Sequence, residues 1–433
     1  MTDQRRPRPR RSQESDPPGT ATRRAALKLV DAILRRGDPL EIASHAATQG
    51  LSAPDRAFAI AIASESLRWM SDIDALIDGA TEQQLPDDVK SRAVLRIALA
   101  QLLSLKSPAH AVVATALPLV MGGPRRLVHA LLSRAQKEEW TLPETASLPE
   151  GVADRWDAQW GEQMVDAATS AWTAAPPIDL SFAAEPEAAD WPESISLAPR
   201  HRRLPRGRAV ESLPGFQEGG WWVQDLAASL AARLLGDGQG RTALDICAAP
   251  GGKTMQLAAA GWSVVSVDSS AKRLERLEDN LKRTGLSAHI VKGDARIWQP
   301  HEKVDALLLD APCSATGIFR RHPDVLHRIG PRQIAEMADL QRELLAKSAH
   351  WVKAGGTLIY ATCSLERAEG EDQIAAFLSA NPGWSRDAIT AAELPGGLAP
   401  DDLGQLRTMP PMLAEHGGLD GFFIARLKAP SAA

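Results

Sequence analysis

The sequence predicts a multi-domain chain. It should hold an all-α N-terminal bundle, a small α+β linker and a C-terminal α/β domain with a Rossmann-like, doubly wound parallel sheet. Three observations predict this. The chain has 433 residues, more than one hydrophobic core organises, so two or three domains are expected. From Ala21 to about Trp140, apolar residues recur at three- and four-residue steps with few strand signals. From Gly215 onward, short apolar runs alternate with amphipathic helical stretches.

Residues 1–20 are Arg, Pro, Ser and charge. Nothing there can form a core, so a disordered basic tail is expected, either solvated or touching RNA. Residues 21–141 form the bundle. In "RRAALKLVDAILRRG", Ala26, Leu29, Val30, Ile33 and Leu34 share one face and Gly37 ends the helix. "PDRAFAIAIASESLRWMSDIDALID" is a second long amphipathic stretch, and three shorter ones follow, ending in "PRRLVHALLSRAQKEEW". Residues 142–214 change character. A helix ("VADRWDAQWGEQMVDAATSAW") precedes strand-like pieces, "IDLSF", "SISL" and "AVES". Between them, "PRHRRLPRGR" places five arginines between Arg200 and Arg208. This is either an idle exposed loop or a phosphate-contacting surface.

Residues 215–430 carry the α/β domain. Its strands are "TALDIC", "SVVSVD", "HIVKGD", "VDALLLDAPC" and "GTLIYATCS", with a late strand in "DGFFIARL". The helix "AKRLERLEDNLKRTG" turns Leu274, Leu277 and Leu281 inward and is capped by Gly285.

Composition excludes several classes. The formal net charge is −5, so any nucleic-acid surface must be local. No apolar run approaches the ~18–20 residues that span a bilayer. The N-terminus has arginine without an apolar core behind it, unlike a secretory signal. The three cysteines, Cys247, Cys313 and Cys363, lack CxxC or Cys/His spacing. No structural metal and no disulfide scaffold are expected, and a reducing cytoplasm is. A monomer is expected.

In doubly wound sheets, ligands bind beyond the carboxyl ends of the strands. "DICAAPGGKT" leaves the first strand as a turn that lets backbone approach a ligand, followed by the free N–H groups of a helix start. It is neither a dinucleotide fingerprint nor a phosphate loop. Asp268, Asp294 and Asp310 end the next three strands. Each alone could be a helix cap. Three in register above a glycine turn point to a ligand carrying ribose, base and a cationic group, and S-adenosylmethionine fits all three.

Cys247 on the turn reads as a small apolar residue at a bend. Cys313 and Cys363 end neighbouring strands and should face one cleft. A thiolate is a strong nucleophile near neutral pH. Pyrimidine C5 is too electron-poor to attack a methyl sulfonium directly. Adding a thiolate at C6 makes C5 an enamine carbon, and an acid hydrogen-bonding at N3 lowers the cost. Asp310, three residues before Cys313, is placed for that.

"DICAAPGGKT", "DAPCSATG", "YATCS" and "DGFFIARL", in that order, closely resemble the RNA (cytosine-C5) methyltransferases of the NOL1/NOP2/Sun family. "GFQEGGWWVQDLAASL" resembles the segment preceding that family's cofactor loop. "DRAFAIAIASESLR" resembles the NusB-like RNA-binding domain fused to the bacterial 16S ribosomal RNA member. The resemblance implies that Cys363 adds to C6 and Cys313 helps resolve the adduct. It implies that Cys247, Ala248, Ala249, Pro250, Gly251, Gly252 and Lys253 wrap S-adenosylmethionine. Asp268 then holds the ribose, Asp294 sits near adenine, and Asp310 lies between the cofactor's methionine end and the cytosine. Which cysteine attacks rests on the resemblance alone.

Two positions depart from the family pattern. Ala315 stands where many members have glycine, and in this alanine the chain resembles the bacterial ribosomal members. "IDLSFAAEP" replaces a frequent "LRVN" strand, and its missing asparagine removes any carry-over of contacts from there. The expected partner is RNA, ribosomal first, with single-stranded loops favoured because a target base must be flipped out. The alternatives are the same chemistry on tRNA, or a non-catalytic RNA-binding or ribosome assembly factor.

Overall fold

The computed structural model describes residues 16–173, 176–206 and 210–431. Contacts divide the chain into two units, 1–147 and 148–433.

In the first unit, Ala26, Leu29, Val30 and Ile33 bury one face of α1 (Thr20–Arg36), and Gly37 closes it in the left-handed region. Asp16 pairs with Arg24 of this helix at 2.6 Å, so the end of the expected tail belongs to the bundle; residues 1–15 lie outside the described residues. The other helices are α2 (Leu40–Ala47), α3 (Ala53–Arg68), α4 (Met70–Gly79), α5 (Lys90–Leu99), α6 (Ala109–Ala116) and α7 (Gly123–Lys137). The long stretch after Pro54 is two helices, because buried Trp69 leaves helical geometry between α3 and α4. Two buried arginines on α5 tie the bundle. Arg92 holds Asp78 at 2.6 Å, and Arg96 holds Asp74 at 2.5 Å and Asp87 at 3.0 Å.

The second unit opens with α8 (Glu150–Trp160) and α9 (Glu162–Thr173). Sequence periodicity suggested one helix; Gly161, at φ 83°, breaks it. A small antiparallel sheet follows in the order β2-β1-β3, from β1 (Ile178–Phe182), β2 (His201–Leu204) and β3 (Trp221–Val223). "SISL" contributes only a bridge from Ile195 to Arg203, and Val210–Ser212 is a 3₁₀ turn. Because β3 lies beyond residue 214, the expected linker boundary cuts through this sheet.

The arginine stretch is largely interior. His201, Arg202 and Arg203 are strand residues, all buried. Arg203 forks onto Asp179 at 2.6 and 2.7 Å and donates to the carbonyls of His416 and Gly418. Arg202 donates to Pro186 O. Burial works to raise the Asp179 carboxyl, but Arg203 and His201 hold it well below the carboxylate range. Arg202 and Arg203 are therefore structural, not a phosphate surface. Arg200 and Arg206 remain at least partly exposed, and Arg208 lies outside the described residues.

The large sheet runs β10-β11-β8-β7-β4-β5-β6. Its members are β4 (Thr242–Ile246), β5 (Ser263–Asp268), β6 (His289–Lys292), β7 (Val304–Asp310), β8 (Val352–Thr362), β9 (Ser385–Arg386, paired to β11), β10 (Leu406–Thr408) and β11 (Phe422–Lys428). β6 to β8 are parallel, while β11 and β10 add antiparallel strands beyond β8. The covering helices are α10 (Leu226–Arg233), α11 (Gly252–Ala259), α12 (Ala271–Thr284), α13 (Val325–Arg328), α14 (Pro331–Ala349) and α15 (Glu371–Ala380). α12 buries Leu274, Leu277 and Leu281, each worth about 1.5–3 kcal/mol. The sheet is central because Leu244, Leu307, Leu308 and Ile359 are fully buried. Among the described residues, no helix is long and apolar enough to cross a membrane, and no His, Cys, Asp and Glu cluster could hold a metal.

Candidate active site

β4 delivers the first loop. Cys247 takes a left-handed φ of 63°, and its N–H and that of Ala248 both donate to Val267 O. Gly251 (φ 105°) begins α11, and a Cβ there would come 3.0 Å from Leu277. The turn therefore needs glycine. Burial, with Asp268 and Asp310 nearby, pushes the Cys247 thiol up to about 12. It packs against the core cluster of the large sheet, and its burial disfavours the thiolate.

Asp268 ends β5 and is buried, not a free loop acid. It accepts from Ala249 N (3.2 Å), Ser270 N (2.9 Å) and Arg273 Nη2 (2.9 Å to each oxygen). Asp294, just past β6, pairs with Arg296 at 2.6 Å, and that guanidinium holds its carboxyl below the usual range. The two acids edge a cavity of about 180 Å³ that is also lined by Cys247, Val267, Pro312 and Leu344. An apolar slot rimmed by carboxylates can take a base and the hydroxyls of its ribose.

Asp245 lies in the interior of β4 and is assigned no role by the sequence pattern. It is fully buried; Oδ2 accepts from Thr254 Oγ1 at 2.6 Å, and Oδ1 has no hydrogen-bond partner. Burial raises its carboxyl to about 7. The signal was present: an acid inside the apolar run "TALDIC".

β7 and β8 are parallel neighbours with Asp310 opposite Ala361. The loops leaving them are therefore adjacent, and they bring Cys313 Sγ to 3.3 Å from Cys363 Sγ. Lys253, at the start of α11, reaches across to Asp310 at 2.7 Å. Burial opposes the ammonium, yet Asp310 and the nearby Cys363 outweigh it and raise the lysine. The Cys313 thiol is pushed well up, first by its hydrogen bond with Cys363 and then by burial. A second cavity of about 400 Å³ opens here, lined by Trp222, Gln224, Asp225, Ala249, Lys253 and Asp310.

Both cysteine loops are locked from behind. Buried Glu369 accepts Ser314 N at 3.0 Å and Ser314 Oγ at 2.7 Å. Ser314 Oγ lies 3.1 Å from Ser364 Oγ, so the residues that follow the two cysteines share one polar cluster. Gly317 N donates to Cys363 O and Gly421 N to Gly317 O, each at 2.9 Å. A Cβ on Gly317 would stand 1.9 Å from Gly421 O. Glu366, also buried, accepts Arg155 Nε, Trp156 Nε1 and Gln159 Nε2 from α8.

The structure thus gathers Cys313, Cys363, Asp310 and Lys253 at one point. It places Asp268 and Asp294 at a slot beside them, with the loop from Cys247 to Gly252 between. The thiol pair and a buried cation therefore share one cleft.

Comparison with known proteins agrees in extent. Residues 232–428 match the family "16S rRNA methyltransferase RsmB/F", and residues 20–124 match the NusB family. The ribosomal RNA small subunit methyltransferase B of Klebsiella pneumoniae (strain 342) is 34% identical, covering 94% of this chain and 97% of that one. Its Pseudomonas syringae pv. tomato counterpart is 35% identical over 94% and 96%. Among solved structures, PH0851 aligns at TM-score 0.74 with 24% identity, over 95% of this chain and 98% of that one, a likeness of fold. A methyltransferase homologue from Pyrococcus horikoshii aligns at TM-score 0.53 with 25% identity, over 64% and 94%.

Proposed function

The chain belongs to the RsmB/F family of 16S rRNA methyltransferases, and from that premise we propose that it methylates C5 of a cytosine in 16S ribosomal RNA through a covalent adduct at C6. The observation that carries this reading is the thiol pair, 3.3 Å apart, beside the Lys253–Asp310 ion pair. A methyltransferase acting on oxygen or nitrogen needs no nucleophilic sulfur in its cleft.

The residues present suit S-adenosylmethionine. The slot between Asp268 and Asp294 takes an adenosine, and the cavity lined by Ala249, Lys253 and Asp310 takes the rest of the molecule. Bound there, the cofactor supplies an electrophilic methyl group. The chain's own residues do the remainder. Cys363 gives its thiol proton to water, its Sγ forms a bond to C6, and the C5=C6 π pair moves to C5. Asp310, taking a proton from Lys253, donates it in a hydrogen bond to N3 and limits the charge that the ring accumulates. Lys253 holds Asp310 in place. Once C5 is methylated, it loses its proton to water and the C6–S bond breaks. The Cys313 thiol supports the departing Cys363 sulfur. The target base must leave its stack to reach the thiols, which favours a single-stranded or loosely paired region in the cytoplasmic ribosomal RNA.

The test is transfer of label from methyl-labelled S-adenosylmethionine to RNA from a strain lacking the enzyme, followed by nucleoside analysis. Label in 5-methylcytidine of 16S RNA is expected. Label in another nucleoside, or in transfer RNA alone, overturns the reading.

A further inference from the structure

The 3.3 Å contact between Cys313 and Cys363 leaves one question that geometry alone does not answer: either sulfur could be the donor. Their surroundings differ. On one side, Lys253 is a buried ammonium that interacts electrostatically with Cys363. On the other, Glu369 is fully buried and held against Ser314, the residue next to Cys313, by both the N–H and the hydroxyl of that serine. Glu369 is anchored in turn through its own carbonyl, which accepts Tyr360 Oη at 2.8 Å and Thr362 Oγ1 at 3.2 Å. The Glu369 carboxyl takes no part in the steps described above, and its burial leaves it no role at the surface.

We propose that Glu369 is a positioning residue that keeps the proton on Cys313, so that Cys313 donates the thiol hydrogen bond and Cys363 accepts it. The inference rests on the covalent reading for its purpose: a Cys313 that keeps its S–H can stabilise the Cys363 sulfur both before attack and as it departs. A negative charge near a thiol disfavours its thiolate, and the effect is large where water is excluded. Glu369 is one of the groups that raise Cys313, after Cys363 itself and burial. The other charged and titratable groups packed around Glu369 and the thiols are Tyr360 on β8, Glu366 on the same loop, Arg407 on β10, Glu371 on α15, Lys253 on α11 and Asp310 on β7. Tyr360 stays neutral, its phenol pushed well up by burial. Arg407 forks onto Glu371 at 2.7 and 3.1 Å, so it is already neutralised. Burial works to raise the Glu369 carboxyl, against the hydrogen bonds from Ser364 and Ser314 that favour its charge. It is the acid that faces the Cys313 loop through direct hydrogen bonds.

The experiment uses the full chain without cofactor or RNA. Limiting iodoacetamide is applied across a pH series, and labelling of each cysteine is read by peptide mass spectrometry. Wild-type protein should give a Cys313 profile whose midpoint lies above that of Cys363. In Glu369→Gln, which preserves shape, the Cys313 midpoint should fall and its labelling at neutral pH should rise about tenfold, the change one pKa unit makes in thiolate population. Midpoints do not depend on accessibility. An unmoved Cys313 midpoint in a folded Glu369→Gln protein overturns the proposal. If that variant does not fold, the wild-type profiles decide: a Cys313 midpoint at or below that of Cys363 overturns it without any substitution. Neither readout involves RNA, so failure here is distinct from failure of the covalent mechanism.

Discussion

Gly317 and Gly421 meet backbone to backbone, with Gly421 N donating to Gly317 O at 2.9 Å, in a space that admits no side chain. This contact joins the Cys313 loop to the start of β11, and Gly317 N simultaneously holds Cys363 O. Gly317→Ala should therefore part the loops. Overpacking should cost about 1–3 kcal/mol of stability. A misplacement near 1 Å at the thiols should lower turnover about a hundredfold. Calorimetry should still find cofactor binding, because the slot lies elsewhere. Retained activity in the alanine variant would show that the loops do not need this contact.

The two thiols should fail differently when removed. Cys363→Ala should abolish turnover and form no covalent complex. Cys313→Ala should methylate at most once and stay attached to its RNA, giving a slower, nuclease-sensitive band on a denaturing gel. The opposite pattern would exchange their roles, and unimpaired activity in both would make the thiols structural.

Asp268→Ala should weaken S-adenosylmethionine binding by about 1–3 kcal/mol. The fold should suffer as well, since Ala249 N, Ser270 N and Arg273 would all lose their acceptor. Urea unfolding should show a further loss of about 1–3 kcal/mol. Wild-type cofactor affinity in a folded variant would remove Asp268 from the site.

Asp245→Asn should raise stability in a pH-dependent way. The carboxyl titrates near 7 in the folded chain and near 4 when unfolded. Folding therefore opposes its ionisation, and the penalty grows from about pH 4 to pH 7 and is constant above. Thr254 can still donate to the amide oxygen. Unfolding free energies of wild type and variant, from denaturant titrations, should converge near pH 4 and differ by an amount on the order of 3–4 kcal/mol at pH 8. A constant difference across that range would mean that Asp245 is not the group titrating.

Arg203→Gln should behave as a core lesion. Removing one partner of a buried ion pair costs about 3–5 kcal/mol. In whatever fraction stays folded, the salt dependence of RNA binding should not change. Arg206→Gln should reduce that slope by about one if its side chain meets a phosphate. A changed slope in the Arg203 variant would return the strand to the RNA surface.

Much of this was legible in the sequence. The strand-ending acids, the glycine turn and the two cysteine motifs are local signals, and each sits at the end of an apolar run long enough to be read. The α12 stripe was equally plain. What stayed hidden depends on long-range partners. "HRRL" looks like a basic loop until Asp179 is found inside the same sheet. Glu369 is an ordinary acid in "LERAEGED" until β7 and β8 bring Ser314 to it. The break at Gly161 was missed because apolar periodicity continues across it, and only the backbone conformation records the interruption.

The place of β11 has a consequence for how the enzyme is made. β4 through β7 and the proposed cofactor slot are complete once the chain has passed Leu344 of α14, and β8 with Cys363 follows. Yet β8 stays an edge strand, and the Cys313 loop lacks its glycine contact, until Gly421 and β11 leave the ribosome and pair with it. Synthesis therefore orders the two capacities in time. A nascent chain gains the slot between Asp268 and Asp294 before it gains an aligned thiol pair.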